Sequence, residues 1–110
     1  MRRFALFLAI LPGFAFAAEF RTLSDDEILT ALTGQKLSYG QDIWQTFQEN
    51  GQTDYFAGGP STGSWTVRGG RYCSAWPPSD LWACYDVLQK GDTIRFVDDQ
   101  GSITDGTISK

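Results

Sequence analysis

"RYCSAWPPSDLWACYD", residues 71–86, holds both cysteines of the chain and two of its four tryptophans around Pro77 and Pro78. Taken as a hairpin whose loop is "PPSD", residues 77–80, it sets Cys73 opposite Cys84 and Arg71 opposite Asp86. Directly opposed antiparallel residues have Cα atoms about 4.5–5.5 Å apart, inside the range a disulfide accepts. A redox pair is the rival reading, but the cysteines lack Cys-x-x-Cys spacing and no helix N-terminus lies beside them to lower a thiol pKa. Two cysteines without any histidine do not complete a zinc site either. The pair is therefore expected to be a structural Cys73–Cys84 bridge, contributing roughly 2–3 kcal/mol for a loop of this length.

Working outward, the neighbouring turns extend the same sheet. Centring one hairpin on Gly69-Gly70 and the next on Lys90-Gly91 gathers Trp65, Val67, Tyr72, Trp76, Leu81, Ala83, Tyr85, Val87, Ile94 and Phe96 on one face. Three turns chosen separately agree on one apolar face, and a one-residue slip would have scattered it. The opposite face receives Thr66, Arg68, Arg71, Cys73, Ala75, Trp82, Cys84, Asp86, Thr93 and Arg95, with Asp86 placed between Arg71 and Arg95. Residues 41–58 fit less well. About an Asn50-Gly51 turn, Phe47 and Phe56 share one face and Trp44 and Tyr55 the other, which requires either two covered faces or a bulge.

From Lys36 onward, short runs rich in Thr, Val, Ile, Tyr, Phe and Trp alternate with turns at 50–51, 57–63, 69–70, 77–80, 90–91 and 98–101. No link is long enough for a helical crossover, so successive strands are expected to be antiparallel neighbours. The fold class predicted is mainly β: an up-and-down meander of seven or eight short strands, curled into a lipocalin-like half or full barrel. One helix precedes it. "LSDDEILTALTG", residues 23–34, offers Ser24 as N-cap, Glu27 as its capping-box partner, acids in the first turn and Gly34 as the stop. The helix, about 24–33, presents Ile28, Leu29 and Leu32 as an apolar stripe, with Leu23 stapled onto Ile28.

The first residues, MRRFALFLAILPGFAFAAEF, pair Arg2 and Arg3 with an apolar run and an Ala15-Phe16-Ala17 cleavage pattern. This reads as a signal peptide over 1–17, leaving residues 18–110 as a single domain. Its apolar run is too short to span a bilayer, and no transmembrane anchor is expected in the mature chain. Without Arg2 and Arg3 the 9 basic side chains fall to 7 against 13 acidic ones, a charge near −6. Such a surface repels phosphate backbones, so nucleic acid is not an expected partner, whereas a basic protein is.

The missing histidine removes Ser-His-Asp and Cys-His catalysis, histidine-ligated zinc and proximal-histidine haem. "VDDQGSITDG", residues 97–106, lacks the alternating acids of a calcium loop and reads as a turn. No cofactor or metal is therefore expected. Arg68, Arg71 and Arg95 around Asp86, beside Trp82, form a candidate ligand or partner surface suited to a carboxylate or phosphate. Trp44, Trp65, Trp76 and Trp82 are more than so thin a core needs; filling the core of a small barrel is the simpler reading of them, lining a cavity or a contact surface the other, with Trp76 assigned to the core and Trp82 to the outside.

Taken in order, the capped helix ending in "ALTG", then "GSWTV", "RYCSAWPPS", "WACYDV" and "IRFVDDQG", resemble a group of small exported alphaproteobacterial proteins of unknown function. The resemblance spans residues 24–106 and is most specific from Trp65 to Val87. It implies a periplasmic location, with secretion as the second choice, and a single β domain; it brings no activity and no catalytic residue. The expected function is a non-enzymatic binding module for an apolar small molecule or a protein. Three alternatives stand beside it: an inhibitor of a basic cell-wall hydrolase, a small carboxylate enzyme using Asp80 or Asp86 with Arg71, and a structural envelope protein.

Overall fold

The computed structural model describes residues 19–109; the signal-peptide reading of residues 1–17 lies outside them. The chain runs β1 (Arg21–Thr22), α1 (Asp25–Leu32), β2 (Lys36–Gly40), β3 (Ile43–Phe47), β4 (Gln52–Ala57), β5 (Pro60–Arg68), β6 (Arg71–Ala75), β7 (Ala83–Lys90), β8 (Thr93–Val97) and β9 (Ile103–Ile108). Strands β2 to β9 follow one another as antiparallel neighbours, and β9 returns to pair with β2. The meander is thus a closed eight-stranded barrel. Closure leaves no edge among these eight strands, while β1 lies along the end of β7 as Arg21 faces Gln89 and Thr22 faces Leu88. Among the described residues no helix is long and apolar enough to cross a membrane.

Helix α1 has the predicted start. The Ser24 hydroxyl accepts from the Glu27 amide, and the Glu27 carboxylate accepts from the Ser24 amide. Ile28 and Leu32 are fully buried, but Leu29, expected on the same stripe, is 44% exposed. A helix of eight residues has room for only a narrow contact, and Leu29 falls beside it. The Asp25 carboxylate accepts from the Gly70 amide at 2.6 Å, and the Gly34 amide donates to the Phe47 carbonyl at 2.7 Å. These bonds seat α1 across one end of the barrel. There Leu23, Ile28 and Leu32 pack with Leu37, Phe47, Trp65, Val87 and Ile94 into the core. Burying each such side chain contributes about 1.5–3 kcal/mol.

The registers across Gly69-Gly70 and across the 76–82 loop are as predicted: Arg68 faces Arg71, Cys73 faces Cys84 and Arg71 faces Asp86. A disulfide joins Cys73 to Cys84. Two other registers need correction. The β7–β8 turn is centred on Gly91-Asp92 instead of Lys90-Gly91, so Lys90 faces Thr93 and Asp86 faces Val97. The slip is two residues, which preserves every face but takes Arg95 away from Asp86 and sets it opposite Leu88. In the β3–β4 hairpin Phe47 faces Thr53, because Gln48 and Gln52 close a three-residue loop that ends at Gly51 with φ +93°. The odd residue shifts the pattern by one. Phe47 and Tyr55 therefore share the inner face, and Trp44 and Phe56 stack outside with centroids 5.6 Å apart. The glycine-rich 57–63 stretch is not all turn either: β5 begins at Pro60.

Candidate functional site

Because α1 fills only one end, the other half of the barrel stays open as a cavity of about 750 Å³. Alternation along the strands decides what lines it. Tyr39 comes from β2, Gln45 from β3, Tyr55 from β4, Tyr72 and Ser74 from β6, Tyr85 from β7, Phe96 from β8 and Thr104 from β9, with Trp76 and Pro77 at the start of the β6–β7 loop. The lining contains no charged side chain.

Its aromatic rings form a belt. Trp76 meets Tyr55 edge-on with centroids 6.1 Å apart, Tyr55 meets Tyr39 at 6.1 Å, and Tyr39 meets Phe96 at 6.5 Å. Phe96 continues to Tyr85 at 6.3 Å and to Tyr72 at 5.1 Å. Two glycines make room for this belt. A Cβ on Gly63 would lie 2.7 Å from the Trp76 ring, and one on Gly106 would lie 2.9 Å from the Tyr39 ring. Each ring therefore lies close against bare backbone on the wall.

Polar groups set the floor. Gln45, only 6% exposed, donates from Nε2 to Thr53 Oγ1 at 2.8 Å and to the Tyr72 hydroxyl at 3.0 Å, while its Oε1 accepts from the Tyr39 hydroxyl at 2.6 Å. The Thr53 hydroxyl donates in turn to the Thr46 carbonyl at 2.7 Å. Every amide hydrogen of Gln45 is thus used, which is what a buried amide requires. Burial pushes the Tyr39 hydroxyl well above the usual tyrosine range, with neighbouring tyrosines adding to it, and burial also raises Tyr72. Both phenols remain neutral. The Tyr55 and Tyr85 hydroxyls make no hydrogen bond to protein among the described residues, and both side chains line the open space.

The residues singled out from sequence lie elsewhere, on the outer wall. Arg71 is held by Asp86 at 3.2 Å and by Asp99 at 2.8 Å, which raises the guanidinium pKa, Asp99 being the main cause. Arg95 makes a two-pronged contact with Asp105 at 2.8 and 2.9 Å and stacks over Phe20 at 3.9 Å. Arg68 lies over the Trp82 ring at 5.5 Å. The Arg71–Asp86–Arg95 ladder is thus two separate clusters, and its expected positive excess is matched by Asp99 and Asp105. Trp82 is outside, as predicted, and 42% exposed.

Trp76, expected in the core, stands instead at the cavity wall, its indole donating to the Ser74 hydroxyl at 3.1 Å. Leu81, expected on the inner face, is 78% exposed because β7 begins only at Ala83. Tyr39, Gln45 and Tyr55 were not singled out from sequence as site residues. The signal for them was the register itself, since the shifted β3–β4 hairpin hid the face that Gln45, Phe47 and Tyr55 share. Among the described residues no group of three or more histidine, cysteine or acidic side chains is arranged to hold a metal. No protein-family model, no curated protein and no solved structure matches the chain.

Proposed function

We propose that this chain is an exported, non-enzymatic binding protein that holds a small, largely apolar molecule inside the barrel. The observation that carries the reading is the open cavity of about 750 Å³, walled by an aromatic belt and free of charged lining. Pockets of roughly 300–1,000 Å³ with apolar walls and a few fixed polar groups are those that enclose a small ligand. The Cys73–Cys84 bridge supports an oxidising compartment, for which the periplasm is proposed. Asp86 and Arg71, the pair considered for catalysis, are partners on the outer wall and do not line the cavity.

The test is titration with N-phenyl-1-naphthylamine, a neutral probe that fluoresces in apolar surroundings. Saturable binding of one probe per barrel, weakened in Tyr55→Ala and Trp76→Ala, is the expected result. A probe signal that never saturates on the native protein would overturn it.

One observation favours a second reading, a basic protein partner such as a cell-wall hydrolase. Leu81 and Trp82 stand exposed on the β6–β7 loop next to Asp80, an apolar tip with a carboxylate beside it. Inhibition of a basic lysozyme by the native protein, lost in Leu81→Ser, is what this reading expects; undiminished lysozyme activity at excess protein excludes it.

A further inference from the structure

The cavity's chemistry narrows what it can hold. The aromatic rings of the belt, whose faces are electron-rich, line a space to which the protein brings no cation of its own. Outside the barrel the opposite holds. Lys36 lies over Trp44 at 4.6 Å, Arg68 over Trp82, and Lys90 and Arg95 over Phe20 at 5.2 and 3.9 Å. Each of those external rings is already capped.

The entrance adds a second observation. At the open end the strands are joined by residues 41–42, 58–59, 76–82 and 98–102, and these loops contain Asp42, Asp80, Asp98 and Asp99 but no lysine or arginine. Arg71 reaches one of the four, Asp99, from the outer wall. The potential at the mouth therefore attracts cations and repels anions. The lining itself has no carboxylate, so a compact, strongly hydrated cation would lose its water there without compensation. An alkylated ammonium is poorly hydrated, and aromatic faces are its natural counterpart.

We propose that the ligand is an organic cation, an alkylated ammonium carried on an apolar or aromatic body, with the ammonium held against the Tyr55, Tyr85 and Trp76 rings. This inference rests on the cavity reading and specifies its ligand.

The experiment compares two molecules of one shape, (4-hydroxyphenyl)trimethylammonium and its neutral isostere 4-tert-butylphenol, by calorimetry and by displacement of the neutral naphthylamine probe. The cation is expected to bind at least about tenfold more tightly. Its advantage is expected to shrink as salt is raised and in Asp42→Asn/Asp80→Asn, because both weaken the field at the mouth. If the isostere binds as tightly as the cation, the proposal is overturned and the apolar-cavity reading stands. The proposal is likewise overturned if the probe binds and neither compound displaces it. Should probe and both compounds all fail to bind, the cavity reading falls and this proposal with it.

Discussion

Gln45 is the residue on which the cavity floor depends. One amide joins Tyr39, Thr53 and Tyr72, and each would lose its bond to that amide in Gln45→Leu, Thr53 keeping only its bond to the Thr46 carbonyl. Leaving buried polar groups unpaired costs about 1–3 kcal/mol, and urea unfolding of that variant is expected to show a loss of this size; an unchanged midpoint would mean that water replaces the amide. The two tyrosines it holds also set a pH dependence. An unfolded tyrosine ionises near pH 10, whereas burial raises Tyr39 and Tyr72 above their ordinary values in the folded barrel. Their contribution to stability is complete below about pH 10 and declines above it, by about 1.4 kcal/mol per pH unit for each tyrosine that the unfolded chain alone ionises. Chemical unfolding at pH values on either side of 10 measures this directly, with the phenolate absorbance appearing together with unfolding. The sequence placed Tyr72 on the inner face but gave no reason to single out Tyr39 or Gln45. A lone glutamine in a strand looks like a solvent-facing residue until its register is known.

Registers were legible wherever the turn had an even number of residues and an obvious centre. Gly69-Gly70 and the cystine hairpin have the registers their sequences imply, the latter although its loop is longer than "PPSD". The β3–β4 and β8–β9 hairpins each close around three residues, ending at Gly51 with φ +93° and Gly101 with φ +84°. Neither sequence pattern distinguishes such a loop from a two-residue turn, although the face of every following residue depends on it. Gly51 and Gly63 test two different demands on glycine. At Gly51 a Cβ would meet nothing closer than the Trp65 carbonyl at 3.6 Å, so Gly51→Ala suffers from its backbone angle alone. That variant should lose about 1–2 kcal/mol and leave ligand binding intact. At Gly63 the backbone angle is ordinary for any residue, yet a Cβ would lie 2.5 Å from the Ala75 carbonyl and against the Trp76 ring. Gly63→Ala should therefore displace Trp76, visible as a changed near-ultraviolet circular dichroism band and weaker probe binding. Equal effects of the two substitutions on binding would contradict the assignment of Trp76 to the cavity wall.

Closure of the barrel depends on contacts that local pattern cannot reveal. β2 and β9 pair through Leu37 with Ile108 and Ser38 with Thr107, the Ser109 amide adding a bond to the Lys36 carbonyl, between residues far apart in the chain, and a meander of the same strands could equally have remained open. Nor does the sequence say that the helix covers one mouth, although Leu23, Ile28 and Leu32 announce that it docks somewhere. The resulting molecule has two ends with separate duties. At the closed end Ile28 and Leu32 are without exposure and pack into the core; at the open end Trp76, Tyr55 and Tyr85 line space. Truncation at the closed end should accordingly lower stability without reshaping the site. Ile28→Ala removes buried methyl and methylene groups from a site that the barrel wall prevents from collapsing, a change that costs about 2–5 kcal/mol. For a domain of this size each kcal/mol corresponds to roughly 4–8 °C in melting temperature, so the loss is easily read by calorimetry. Below that lowered transition the variant should still bind the neutral probe, because Tyr55 and Trp76 lie outside the core cluster that holds Ile28, although Tyr72 and Phe96 belong to it. A fall in affinity matching the fall in stability would instead mean that the helix and the aromatic belt form one cooperative unit, with the cavity shaped from the closed end upward.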